Sequence, residues 1–228
     1  MPNASPAVCF ASRAAPAPAN EQRVPRLCLA TAQQEALAEL LPILLCGEES
    51  ASLAFAGFAS ADRMPPVAQA ELRRIGEDEQ HHERQLQALR LALPQAAVDA
   101  DLRRAARRMF ARLGSDNMGM HFARIAALDS GACVILGALR RHRLPLSKDP
   151  SVRAIFARIH GDETRHVMAS RRYARELLDP KQAHAVAAQM REQLAALIGM
   201  RGAALESLGV NADQLLARLR QVPRRLFS

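Results

Sequence analysis

The chain has 228 residues, of which 49% are hydrophobic and only 4% are aromatic, and 31 Lys and Arg face 23 Asp and Glu. This length allows one sizeable core and favours a single domain. Ala, Leu and Arg predominate, and the alternation typical of strands is missing, so the composition excludes β-rich folds and predicts an all-α protein. The basic residues are mostly arginines in scattered pairs rather than one run, so the net charge of +8 is weak evidence for a nucleic-acid partner.

The cysteine spacing and the lengths of the apolar runs argue against several further classes of protein. Four widely spaced cysteines contain no Cys-x-x-Cys pair, which argues against a zinc ribbon, a rubredoxin-type iron site and a disulfide scaffold. No run reaches about 18 uninterrupted apolar residues, and the N-terminus lacks the basic-then-apolar order of a signal peptide. We therefore expect a cytoplasmic protein without a membrane span.

Prolines and residues that begin or end helices divide the chain into an N-terminal arm and a helical domain. Residues 1–30, rich in Ala, Pro and Ser, predict a flexible N-terminal arm. Residues 31–228 predict one helical domain, in which Pro42 kinks the first helix or begins a new one. Helices are expected at about 31–60, 66–92, 98–113, 116–142, 150–177, 180–200 and 211–221. The four long helices predict a four-helix bundle at about 35–177, with short helices added, including those of the C-terminal part at 180–222.

Helical phase shows which polar residues of "IGEDEQHHER" point inward. Four apolar residues form one stripe along the second helix: Leu72, Ile75, Leu86 and Leu89. Glu79 and His82 continue this stripe, with the spacing Glu-x-x-His, whereas Asp78 and His81 fall on a wetter flank. The pair Glu79 and His82 is therefore predicted to face the core.

The other long helices repeat this feature. In "HGDETRH" of the fourth long helix, Glu163 and His166 share an apolar face with the same Glu-x-x-His spacing, whereas Asp162 and Arg165 are predicted to point elsewhere. In the first helix Glu48 lies among apolar residues while Glu49 is turned aside. The third long helix offers Asp129 on its apolar stripe.

The negative charge of four inward carboxylates must be balanced by positive charge. An unpaired buried carboxylate costs several kcal/mol, and a fold is stabilised by only about 5–15 kcal/mol. Two divalent cations would neutralise the four carboxylates, and carboxylate with imidazole suits iron or manganese. The arrangement matches the ligand pattern of di-iron and di-manganese carboxylate bundles. The alternative is a buried salt-bridge network with arginines such as Arg124 or Arg140.

These motifs resemble the ferritin-like di-metal carboxylate superfamily over roughly residues 35–177. "CGEESASLAFAG", "ELRRIGEDEQHHERQL" and "DPSVRAIFARIHGDETRH" resemble segments of aldehyde-deformylating oxygenases, and "EDEQHHERQ" and "ETRHVMASRRYA" are similar to bacterial tRNA hydroxylases. The resemblance implies that Glu48 and His82 serve one metal, that Asp129 and His166 serve the other, and that Glu79 and Glu163 bridge them.

The chain departs from the superfamily at Asp129, where Glu is usual, so the reach of this side chain is shorter. An additional imidazole, His160 or His121, is a candidate extra ligand, and arylamine N-oxygenases of the superfamily carry such a histidine. An ordinary polar role for both is the competing interpretation. Tyr173, the only tyrosine, is expected in the core or at its boundary.

The resemblance implies an enzyme, a non-haem di-iron oxygenase. Two Fe ions, with Mn as the other metal considered, would activate O2 as co-substrate to oxidise a small apolar or amphipathic organic substrate. No flavin or nicotinamide fingerprint is present, so an external electron donor, a reductase or ferredoxin, is expected. The alternatives are manganese catalase or peroxidase, a tRNA-modifying hydroxylase, and a ferritin-like iron oxidation and storage protein. The assembly state is open, with a homodimer among the candidates.

Overall fold

The computed structural model describes residues 24–59, 64–97, 99–113 and 117–227, and within these ranges all regular structure is helical. The helices are α1 (Thr31–Ala59), α2 (Pro66–Leu91), α3 (Ala100–Ala111), α4 (Met118–Leu139), α5 (Pro145–Lys148), α6 (Pro150–Leu177), α7 (Pro180–Gly199), α8 (Gly202–Ser207) and α9 (Ala212–Arg220). The all-α class predicted from composition is confirmed.

Capping residues explain why the predicted helix boundaries agree with the structure. The side chains of Asn117, Asp149, Asp179 and Asn211 accept backbone N–H groups at the starts of α4, α6, α7 and α9. Pro42 lies inside α1, which continues on both sides of it. The two shortest helices, α5 and α8, were not predicted, because four to six residues carry too little periodicity.

The long helices pack as two pairs. α1 lies along α2 and α4 lies along α6, and α2 also contacts α6. α7 covers α4, α9 packs on α7, and α8 contacts α1. Large side chains fill the interior, among them the fully buried Phe55, Phe122 and Phe156. The inner faces of α1, α2, α4 and α6 therefore surround a common interior.

The segment before α1 is fastened to α6. The backbone N–H of Cys28 donates to Asp149 Oδ2 at 2.5 Å, and the Ser151 hydroxyl donates to the carbonyl of Arg26 at 3.3 Å. Of the predicted arm, residues 1–23 lie outside the described residues. Cys46 is buried in α1.

Two helices, α1 and α4, are long and apolar enough to cross a membrane by length and composition alone. Within the α4 window, 72% of the residues are buried inside the protein. Core helices of water-soluble proteins pass the same test, so the feature is weak support for a membrane span. Both helices also carry an inward acid, Glu48 in α1 and Asp129 in α4.

Candidate metal centre

Six potential ligands from four helices lie in the interior. Each is at most 8% exposed: Glu48 of α1, Glu79 and His82 of α2, Asp129 of α4, and Glu163 and His166 of α6. These are the side chains for which helical phase predicted an inward position. The i, i+3 spacing in α2 and α6 places the Glu and His of each motif on one helix face, beside each other.

Four of the six form a compact cluster. One ligand atom each from Glu48, Glu79, His82 and Glu163 lie within 4.8 Å of one another. His82 Nδ1 is 3.1 Å from Glu48 Oε2, 3.6 Å from Glu79 Oε2 and 3.7 Å from Glu163 Oε1. Side chains from three helices therefore converge on one point, and a metal ion could bind there.

His166 approaches the same cluster from α6. Its Nδ1 is 2.9 Å from Glu79 Oε1 and 3.9 Å from Glu163 Oε1. Despite the short distance, the Glu79 oxygen and the His166 nitrogen do not meet hydrogen-bond geometry, and neither atom has a hydrogen-bond partner. Glu79 Oε2 and Glu163 Oε2 are likewise buried without a partner. Buried polar atoms are rarely left in this state, and a bound cation would satisfy them.

An aspartate from the opposite motif orients each histidine. His82 Nε2 lies 3.0 Å from Asp162 Oδ2 in α6, and His166 Nε2 lies 3.4 Å from Asp78 Oδ2 in α2. An Nε2–H donated to the aspartate leaves the Nδ1 lone pair directed into the cluster, as a metal ligand requires. Arg165 joins the two aspartates, 2.7 Å from Asp162 and 3.4 Å from Asp78.

Asp162 lies outside the compact cluster, in agreement with the prediction, but its burial and its contact with His82 Nε2 were not predicted. Asp162 is only 4% exposed and contacts His82 across the helix pair. Helical phase missed it because Asp162 faces the neighbouring helix rather than the centre of the interior. A signal was present in the sequence, since an aspartate directly precedes the glutamate in both Glu-x-x-His motifs.

Burial and close contact shift the pKa values of these acids and histidines. Burial raises the pKa of Glu48 to about 8, and burial with the nearby acids raises the pKa of Glu163 well above its usual value. Burial also opposes ionisation of Glu79, but His166 and His82 lower its pKa to about 2. Although burial disfavours the charged imidazole, contacts with Glu48, Glu79 and Asp162 raise the pKa of His82 to about 11.

Asp129 lies at the border of the cluster. Its Oδ2 is buried without a hydrogen-bond partner, and burial with the charges of Glu79 and Glu48 raises its pKa well above the usual value. It lines the same cavity as three of the cluster glutamates but does not belong to the compact group of four. This position agrees with the shorter reach of aspartate at a site where glutamate was expected.

A small apolar cavity adjoins the carboxylates. Its volume is about 70 Å³, and its wall combines four acids with apolar residues. α1 contributes Ile43 and Leu44, α3 contributes Phe110, the segment just after α3 contributes Leu113, and α7 contributes Leu194. The closure of this cavity by α7 and by the C-terminal end of α3 was not predicted from the sequence.

The two additional histidines lie outside the compact cluster. His121 packs edge-on against Phe58, with ring centroids 4.3 Å apart, and its Nε2 has no hydrogen-bond partner. Burial and the charge of Arg124 lower the pKa of His121 to about 4. His160 lies beside Gly137 of α4, where its Nε2 would be 3.7 Å from an added Cβ. Tyr173 is buried, as expected, and its hydroxyl donates to Glu71.

The salt-bridge alternative receives little support from the contacts. Within the described residues, the ion pairs of Glu48, Glu79 and Glu163 are made with His82 and His166. Arg124, one of the two proposed partners, donates to the carbonyl of Leu113, and Arg140 stands at the C-terminal end of α4. The described arginines near the site, Arg158 and Arg165, bind Asp162 and Asp78 on its outer side.

Comparisons of the chain with protein-family models, curated proteins and solved structures found no match.

Proposed function

We propose that this protein is a non-haem di-iron oxygenase built on a ferritin-like four-helix bundle. The observation that carries the proposal is the set of buried oxygen and nitrogen atoms of Glu79, Glu163, Asp129 and His166 that have no hydrogen-bond partner. Leaving these atoms unsatisfied would cost stability in any protein without a ligand for them. Carboxylate and imidazole donors together suit iron or manganese.

The ligand set can be divided between two ions. Glu48 with His82 would hold one ion and Asp129 with His166 the other, while Glu79 and Glu163 would bridge them. The four carboxylates carry the charge that balances two divalent cations, so the loaded centre would be neutral. Burial, together with the charges of nearby acids, raises the pKa values of Glu163 and Asp129 in the metal-free protein, and bound cations would favour the ionised form of both.

When bound, iron would supply the electrons and open coordination positions for O2 activation. The protein's own groups prepare the site. Asp162 and Asp78 fix the histidine rings with Nδ1 inward. The apolar wall, including Phe110 and Leu194, keeps bulk water away from the carboxylates.

The cavity favours a small apolar substrate. A volume of about 70 Å³ is well below the roughly 300–1,000 Å³ of typical ligand pockets, so a larger substrate would require side chains such as Phe110 to move. We further propose an external electron donor and a cytoplasmic location.

The test is O2 consumption by protein loaded anaerobically with Fe(II). The proposal predicts rapid O2 uptake, stoichiometric with iron, that the Glu163→Ala variant lacks. Mn-loaded protein that instead disproportionates peroxide, without O2 uptake by the iron form, would overturn the oxygenase proposal in favour of manganese catalase. Gel filtration showing a large cage would overturn it in favour of iron storage.

A further inference from the structure

A buried arginine of α7 lies against α4, where it contacts Ser130. Arg191 of α7 is 1% exposed. Its Nε donates to the carbonyl of Leu219 at 2.5 Å, and Nη1 donates to the Ser130 hydroxyl at 3.0 Å. Nη2 donates to the carbonyls of Arg218 and Gln221 at 3.2 and 3.4 Å. Every one of these partners is electrically neutral.

This arrangement leaves much of the positive charge uncompensated. The carbonyls belong to the C-terminal end of α9, where the helix dipole supplies only about half a negative charge. Burial lowers the pKa of Arg191 to about 10, in keeping with the cost of a buried cation without an acidic partner. Capping α9 explains the position of Arg191, but it does not explain the lack of a counter-charge.

The guanidinium borders an open cleft of about 550 Å³ between α4, α7 and the end of α9. The cleft is lined by Val134, Arg191, Arg218, Gln221, Val222, Pro223 and Arg224. None of these described lining residues is acidic. Arg218 and Arg224 are exposed, so solutes can reach them from the solvent.

We propose that this cleft binds the phosphate group of a small organic phosphate. The exposed guanidinium groups of Arg218 and Arg224, with the buried charge of Arg191 behind them, suit a doubly charged phosphate better than a singly charged carboxylate, because an exposed arginine can donate two hydrogen bonds to it in parallel. The volume lies within the range of small-molecule sites, and Val134, Val222 and Pro223 offer an apolar wall for the organic part. The proposal does not depend on the metal centre.

The experiment measures binding of glycerol 3-phosphate to the full-length, metal-loaded protein by calorimetry. Saturable binding is expected. Arg218→Ala and Arg224→Ala are each expected to weaken it about tenfold or more, because each removes a charge-assisted hydrogen bond. Arg225→Ala is the matched control, since Arg225 is exposed but does not line the cleft, and it should leave the affinity unchanged.

Two further measurements distinguish binding of a small phosphate in this cleft from phosphate held by iron and from binding of a lipid headgroup. A Glu79→Ala variant should still bind glycerol 3-phosphate, which would exclude phosphate held by iron. Vesicles containing phosphatidic acid test a lipid headgroup: binding to vesicles alone, lost in Arg224→Ala, would keep the phosphate site but assign it to lipid. The absence of binding to both probes, or equal weakening by Arg225→Ala, would overturn the proposal and leave Arg191 as a structural cap of α9.

Discussion

Glu79 is the side chain on which the cluster depends most. It contacts both histidines, at 3.6 Å for His82 and 2.9 Å for His166, and no other described acid does so at such short range on both sides. Glu79→Ala is therefore expected to abolish the binding of both metal ions, measured as metal content per chain after reconstitution.

The control for this variant is Glu77→Ala. Glu77 lies two residues away in the same helix but is exposed, so the variant should keep the metal content of the wild type. If Glu79→Ala retained full metal content, the assignment of inward faces would be wrong.

Glu48 provides a pH-dependent test in the metal-free protein. Its pKa is raised by burial from 4.5 to about 8, so the folded state favours the neutral acid. The stability contributed by this preference is complete below pH 4.5 and is lost as the pH rises to about 8. Glu48→Gln stays neutral and avoids the loss.

Thermal or urea unfolding of both metal-free proteins measures the effect. Relative to Glu48→Gln, the wild type should lose at least about 1 kcal/mol of unfolding free energy between pH 5 and pH 8. A constant difference across this range would show that Glu48 does not titrate as its buried position requires.

The histidine–aspartate contacts could not be predicted from the sequence pattern of either helix alone. The 3.6-residue period of a single helix is enough to predict the inward positions of Glu79, His82, Glu163 and His166. The contact between His82 and Asp162 depends on the rotation of α6 relative to α2, which no single-helix pattern contains. The four carbonyl and hydroxyl partners of Arg191 were hidden for the same reason.

Close approach of α4 to the end of α6 depends on a glycine. A Cβ added at Gly119 would lie 2.9 Å from the carbonyl oxygen of Leu177 and 3.0 Å from Leu178 Cβ. Because the first obstacle is backbone, Gly119→Ala should push the two helices apart and lower the unfolding free energy by about 1–3 kcal/mol.

Gly161 in α6 offers the opposite case. An added Cβ there meets no atom within 4 Å, so Gly161→Ala should raise the unfolding free energy by about 0.5–1 kcal/mol through helix propensity. Chemical denaturation of both variants checks the pair. A neutral or stabilising Gly119→Ala would contradict the close packing of these helix ends.

Element boundaries were predictable because capping residues and prolines mark them. Asn117, Asp149, Asp179 and Asn211 precede helices in the sequence and cap them in the structure. The role of α3 was not predictable. In the sequence, Phe110 of α3 and Leu113 just after it belong to an ordinary apolar face, and only tertiary packing places them against the cavity beside the carboxylates.

At the scale of the whole molecule, the buried acids link folding to metal binding. Burial, together with the charges of neighbouring acids, raises the pKa values of Asp129 and Glu163, so ionising these groups costs stability in the metal-free fold, and ions that bind only the folded state add stability by mass action. The melting temperature should therefore rise on adding Fe(II) or Mn(II) and return on chelation, as followed by circular dichroism. A melting temperature insensitive to both metals would indicate that the folded protein does not bind them.

The number of metal ions bound per chain distinguishes a di-metal centre from a single-ion site. The compact group of Glu48, Glu79, His82 and Glu163 could hold one ion, and a second requires Asp129 and His166 to act as ligands. Anaerobic titration with Fe(II), followed by removal of free metal and elemental analysis, distinguishes the cases. We predict two ions per chain. One ion would contradict the di-metal centre, and no bound metal would show that the inward acids form a polar network instead.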